Sequence, residues 1–309
     1  MTEAMYNWRV VAVHNALREM GKEAGALNVE DLTNLGHLDQ YHYLGVEATD
    51  HLIDVLGVDK QAHVLDVGSG IGGPARYIAA KTGCHLDAIE LQADLNSAAT
   101  DLTARCGLQD RVRYVTGDII ALSQAGAITP DHYSHFISLL VFLHIPDRKG
   151  LLEACFNAVQ PGATFLIEDF MALGPFADQE KSWLSDVVSA PTVTSAEEYH
   201  VALEAAGFVD IEFVDLSKIW QRWTKARHDL FVESKEETLK MHGETIFNSR
   251  ANFYKVIDNL FAGGNLGGCR ITGRKPGALE AKLIQGRKND QSSGASVVNV
   301  VEGKAWMRT

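Results

Sequence analysis

The chain has 309 residues, 46% hydrophobic and 22% charged, which supports one generous core or two modest ones and excludes wholesale disorder or a fibrous architecture. With 28 basic against 40 acidic side chains the net charge is −12, a surface field that repels polyanions and argues against general nucleic-acid binding. Cys84, Cys106, Cys155 and Cys269 form no Cys-x-x-Cys pair and no run of about 18 apolar residues occurs, so no metal site, disulfide framework, signal peptide or membrane span is expected, and a cytoplasmic setting fits.

Apolar positions Trp8, Val11, Val13, Leu17 and Met20, then Val46, Leu52, Ile53 and Leu56, roughly follow helical spacing, so residues 1–57 read as a helical N-terminal extension or cap. Between them GHLDQYHYLG, 36–45, has no clear period and is a loop candidate. From 58 to 216 strands alternate with helices. The strands are HVLDV (63–67), HLDAIEL (85–91), RVRYVTG (111–117), HFISLLVFL (135–143), ATFLIEDF (163–170) and FVDIEFVDL (208–216); the helices are 72–83, 93–107, 147–160 and 195–206. Pro161-Gly162 reads as a turn, and Ser195 with Glu198 as a helix-capping pair. Residues 217–262 return to helical spacing, GGNLGG precedes a last strand within 263–275, and 276–309 reads as a flexible tail with little to bury. The pattern predicts a doubly wound, mostly parallel, seven-stranded Rossmann-like α/β sheet with a helical extension and a helical insertion that serves as a lid.

The turn Gly68-Ser69-Gly70-Ile71-Gly72-Gly73 leaves a strand and opens a helix, the context in which a glycine-rich turn reads as a nucleotide fingerprint. Glu90 follows 20 positions after Gly70, at the end of the next strand, where a carboxylate accepts both ribose hydroxyls. Asp66 stands two positions before the first glycine. A second negative charge within about 4 Å would cost roughly 4 kcal/mol at an effective dielectric near 20, so Asp66 disfavours a dinucleotide's pyrophosphate. A ligand carrying an ammonium and a sulfonium would be attracted instead.

The segment VLDVGSGIGGPARYIA, 64–79, resembles the first motif of class I S-adenosylmethionine-dependent methyltransferases. With DQYHYLGVEATDHLIDVLGV (39–58) and TSAEEYHVALEAAGF (194–208), the likeness narrows to the small-molecule group that includes sarcosine and dimethylglycine methyltransferases. Gly-Gly-Pro-Ala-Arg, 72–76, is also similar to sterol C-methyltransferases and, more loosely, tocopherol methyltransferases. The resemblance implies S-adenosyl-L-methionine as cofactor, with Asp66 nearby, Gly68, Ser69 and Gly70 passing its methionine end, Glu90 with Leu91 at the ribose, Asp118 and Ile119 at the adenine, and Leu139 near the methionine amine. His144, in VFLHIPD, matches a histidine common there. Tyr133-Ser134 replaces the usual aromatic-Asp pair that begins the fourth strand, so one carboxylate is missing.

The expected partner is a small-molecule methyl acceptor, foremost an amine or amino-acid nitrogen, with Tyr41, Tyr43 and His144 as catalytic candidates and His42 as a further base. Carbon methylation of a sterol or isoprenoid and S- or O-methylation of a small carboxylic acid are the enzymatic alternatives; a binding protein without turnover is the other. Base methylation is disfavoured because Ser138-Leu139-Leu140-Val141 lacks the Pro-Pro-aromatic turn that grips a flipped base. Plainer readings stand beside these: Tyr41, His42 and Tyr43 as edge packing, His144 as a hydrogen-bonded structural histidine, Trp220, Trp223 and Phe231 as one face of an amphipathic helix, and Arg222, Arg227, Arg250 and Arg270 as solvated.

Overall fold

The computed structural model describes residues 7–290 and 300–303. The chain opens with helices α1 (Asn7–Glu19), α2 (Val29–Thr33) and α3 (Val46–Leu56), a 3₁₀ turn Gly36–Leu38 lying between the last two. An alternating series follows: β1 (His63–Val67), α4 (Gly73–Thr82), β2 (His85–Glu90), α5 (Ala93–Arg105), β3 (Val112–Thr116), α6 (Ile119–Gln124), β4 (Tyr133–Leu139), α7 (Arg148–Ala158) and β5 (Val159–Ala172). Then come α8 (Asp178–Ser182), α9 (Ala196–Ala206), β6 (Val209–Asp215), α10 (Ser217–Glu233), α11 (Lys235–Gly263, broken at Gly243), β7 (Leu266–Arg274), α12 (Ala278–Asp290) and β8 (Val300–Glu302).

One sheet runs β3-β2-β1-β4-β5-β7-β6-β8. Strands β1 to β5 pair in parallel and β7 is antiparallel to both neighbours. A parallel strand covered on both faces is mostly apolar, and four of the five residues of β1 are buried, Asp66 among them. On one face Phe136, Phe165 and Phe208 interlock, with ring centroids 4.9 Å apart for the stacked first pair; on the other, Val64, Leu86, Ile137 and Leu166 meet Leu52 of α3 and Ile78 of α4. Helix α1 seats Val13 and Leu17 against Leu95 and Leu102 of α5. The strand order reverses between β1 and β4, so a crevice opens beyond their carboxyl ends.

The α/β class and parallel core agree with the sequence pattern, and Ser195 caps α9 as expected: the Glu198 amide donates to Ser195 Oγ at 3.2 Å and the Ser195 amide to Glu198 Oε2 at 2.9 Å. Four details differ. The sheet has eight strands, because Val300–Glu302 pairs with β6; three residues are too few to show a period. The stretch expected as a tail also carries α12, fastened by a bidentate Arg274–Glu280 pair at 2.6 and 2.8 Å; the rest of that stretch, 291–299 and 304–309, lies outside the described residues. Strand β4 stops at Leu139 instead of Leu143, since Leu140 takes φ 57° and its amide bonds to the Glu168 carbonyl at 2.8 Å, an exit that a uniformly apolar run conceals. Pro161-Gly162 lies inside β5, where Gly162 has φ 88° and the register with β4 shifts.

Candidate active site

The glycine turn between β1 and α4 is held by the neighbouring strand. The Gly68 and Ser69 amides donate to the Ile89 carbonyl at 2.8 and 3.0 Å, and the Gly70 amide donates to Glu90 Oε2 at 2.8 Å. Glu90 Oε1 accepts from the Gln92 amide, also at 2.8 Å, so one carboxylate ties the turn to the start of α5. Gly68 has φ 83°, and a Cβ there would collide with Val141 of the segment after β4. Only glycine keeps the two segments in contact at the bottom of the cleft.

This cleft, about 1020 Å³ counted to its open mouth, is lined by Asp66, Gly68, Ser69, Gly70, Glu90, Leu91, Asp118, Ile119 and Leu139. The structure thus brings every cofactor candidate of the sequence reading to one place. Asp66 is buried, its Oδ2 has no hydrogen-bond partner, and burial followed by the nearby Glu90 pushes its carboxyl up to about 7. Ser69 Oγ is likewise buried without a partner. Asp118 caps α6, its Oδ1 accepting from Ile120 and Ala121 at 2.7 and 3.2 Å, so α6 is a helix the sequence reading missed. Tyr133 and Ser134 serve the sheet: Tyr133 Oη donates to Asp87 at 2.7 Å, and Ser134 Oγ accepts from the His63 amide at 3.0 Å.

The three catalytic candidates divide. Tyr41 and His144 line the cleft; Tyr43 does not, and faces a second pocket of about 520 Å³. The two spaces share Tyr41, Leu140 and His144. His144 Nδ1 lies 2.8 Å from the Ser189 carbonyl and must donate to it; burial pushes this imidazole down to about 4 and keeps it neutral near pH 7. Its 3₁₀ turn, Phe142–His144, hangs on Asp169 of β5, whose Oδ1 accepts from the Leu143 amide at 3.2 Å. Tyr41 stacks on His37 at 4.4 Å, with the Arg9 guanidinium 4.4 Å from its ring, and burial foremost raises its phenol to about 12. His42 also borders the cleft, its Nε2 2.8 Å from the Gly45 carbonyl.

The second pocket has aromatic walls: Tyr41 and Tyr43 from the loop, Phe170 from β5, Trp223 from α10, Phe253 and Tyr254 from α11. Trp220 is instead packed into the core over Gly268, where no Cβ could fit, and Phe231 stacks on Phe247. Of the four arginines, Arg227 reaches the pocket. Arg270 is buried on Glu168, Arg250 stacks against Trp8 and Phe253, and Arg222 is exposed. Sequence reasoning missed Arg9, Asp39 and Gln92 in the cleft and His37 and Tyr254 in the pocket. The pairing of buried Asp39 with buried Arg76 at 2.6 Å, which anchors the loop to α4, had one legible signal: an arginine on the inward face of a predicted helix needs an acid.

A methyltransferase-domain family profile matches residues 64–162, the span from β1 into β5. The phosphoethanolamine N-methyltransferase of Plasmodium falciparum is 27% identical over 66% of this chain and 75% of its own length. The sarcosine/dimethylglycine N-methyltransferase of Halorhodospira halochloris is 26% identical over 72% and 76%. The chain is an S-adenosylmethionine-dependent methyltransferase. Among solved structures, the Haemonchus contortus phosphoethanolamine N-methyltransferase 2 complex with phosphomonomethylethanolamine and S-adenosylhomocysteine superposes with a TM-score of 0.70 at 18% identity, over 81% of this chain and 61% of that one. The [4+2]-cyclase SpnF superposes at 0.65 with 17% identity over 89% and 94%, so the methyltransferase shares its fold with an enzyme named for other chemistry. No helix among the described residues is long and apolar enough to cross a membrane.

The cleft fits the cofactor. Asp66 and Ser69 offer buried oxygens without partners, beside a turn that presents no side chain of its own at Gly68 and Gly70. The ligand's two cationic groups suit a cleft whose carboxylates, Asp66 and Glu90, are both raised chiefly by burial.

Proposed function

We propose that this methyltransferase acts on the nitrogen of a small amine or amino acid. The observation that carries the reading is the aromatic pocket beside the donor cleft, with Tyr41, Leu140 and His144 lining both. Aromatic faces favour a cation, and N-methylation ends in an ammonium product. A sterol would need apolar walls throughout, whereas Arg227 and His37 stand in this one.

When bound, S-adenosylmethionine supplies a methyl group already activated on a sulfonium sulfur. In this reading Glu90 and Leu91 hold its ribose, Asp118 and Ile119 its adenine, Gly68 to Gly70 with Asp66 and Leu139 its methionine end. Tyr41 and His144 form the partition where the acceptor meets the donor. His144, with Nδ1 committed to Ser189 and its pKa lowered by burial, borders the acceptor as a neutral polar group and adds no charge there. Residues 36–45 and the helices of 217–262 act together as a lid. Holding the reactants in line and away from water is worth about 7–11 kcal/mol in favourable cases, which makes positioning the main task of these residues.

The test is incubation with methyl-labelled S-adenosylmethionine and a panel of glycine derivatives, phosphoethanolamine, thio acids and sterols, followed by mass spectrometry. Label on nitrogen supports the reading. Label on carbon, sulfur or oxygen, or none with any acceptor or extract, overturns it.

A further inference from the structure

Two groups in the second pocket are unsatisfied. Arg227 Nε is buried without a partner, and Nη2 reaches only the Tyr254 hydroxyl, at 3.4 Å. Among the described residues no carboxylate pairs with Arg227, and no Asp or Glu lines the pocket. His37 is 8% exposed and neither ring nitrogen has a partner that meets hydrogen-bond geometry, while the Gln40 backbone is close enough to favour its protonated form slightly. Its ring is clamped by Tyr41, with Trp223 at 5.5 Å and Tyr254 at 5.8 Å. A guanidinium and an imidazole share a largely aromatic space whose lining holds hydroxyls but no anionic acceptor, and buried donors left without a full set of partners are costly.

The structure assigns an oxyanion subsite to Arg227 and His37, which receives a carboxylate or phosphate carried by the methyl acceptor; this rests on the second pocket being the acceptor site. Both residues line that pocket and neither lines the donor cleft. An acceptor spanning the pocket therefore points its anionic end away from the donor and its nitrogen toward Tyr41 and His144. The fork of Arg227 bonds such a group more strongly than a neutral one.

The groups facing His37 are Arg227 of α10, Arg9 of α1, His42 and Tyr41 of the loop, and Tyr254 of α11. Burial foremost, then the cations Arg227 and Arg9, hold its imidazole well below the usual range. A bound oxyanion offsets those cations, so His37 gains a proton from solvent as the ligand enters, and binding tightens as pH falls.

The probes are N-methylglycine and phosphoethanolamine, which separate a carboxylate from a phosphate, against ethanolamine and N-methylethylamine. Calorimetry with S-adenosylhomocysteine present should show at least tenfold tighter binding of an anionic probe. Arg227→Gln should remove that preference while leaving S-adenosylhomocysteine affinity unchanged, and Arg227→Lys should restore part of it. Titrations in buffers of different ionisation enthalpy should show proton uptake that His37→Asn abolishes. An unchanged preference in Arg227→Gln, the absence of proton uptake, or failure of both anionic probes to bind at millimolar concentration overturns the subsite. N-methylation without any role for Arg227 sinks the subsite alone; an Arg227-dependent anion preference without N-methylation sinks the amine reading alone.

Discussion

The cleft beyond β1, β2 and β3 is built from strand ends and backbone, whereas the pocket beside it is built from side chains of a loop and two inserted helices. In the cleft, Glu90 and the Gly70 amide meet because parallel register between β1 and β2 puts them together. In the pocket, His37, Trp223 and Tyr254 meet only because α10 and α11 leave the sheet between β6 and β7 and pack over the loop. The difference teaches where change is tolerated. A site fixed by sheet register keeps one ligand, while a site fixed by the packing of inserted segments is free to follow its acceptor.

That contrast can be broken first at the buried ion pair that ties the loop to α4. Asp39→Ala leaves the Arg76 guanidinium buried without its carboxylate, and should cost about 3–5 kcal/mol in denaturant unfolding. A loss below about 1 kcal/mol would mean that the loop and the sheet are independent. Next, Glu90→Ala should weaken S-adenosylhomocysteine binding by about 1.5–3 kcal/mol, because bonds to a charged acceptor are lost together; calorimetry with unchanged affinity would remove Glu90 from the donor site.

The donor side should also carry a pH signature. With its carboxyl at about 7, Asp66 is protonated in the free protein below that point, and in the proposed site a cationic donor would favour its ionised form. Binding then releases a proton, so affinity should fall as pH drops from 7.5 to 5.5, by at most about tenfold per unit, and Asp66→Asn should flatten the profile. A profile of equal slope in the variant would place the titration elsewhere.

The smallest effect belongs to the second pocket, the proposed acceptor side. Tyr43 lines the second pocket and not the cleft, so Tyr43→Phe should lower turnover by about 0.5–1.5 kcal/mol in activation free energy while donor affinity stays constant. If donor affinity moved as much as turnover, the two halves would not be separable. Trypsin cleavage within 217–262 should slow when S-adenosylhomocysteine and acceptor are both present, and an unchanged rate would remove the lid from the reading.

Much of the donor half was readable because its determinants are local. A strand, a left-handed glycine turn, a helix start and a carboxylate at the end of the next strand are each a short-range feature, and parallel pairing assembles them in one way only. Asp118 shows the limit even there: its place in the cleft could be read, but not its work as the cap of α6. For the second pocket, helical spacing set Trp220 and Trp223 on one side of a helix and could say no more. Packing decided that Trp220 goes into the core over Gly268 while Trp223 faces the pocket, and it brought Arg227 to His37. Periodicity records which side of an element is buried; which buried side chains are left facing a space is settled by the neighbours each element acquires when the chain folds.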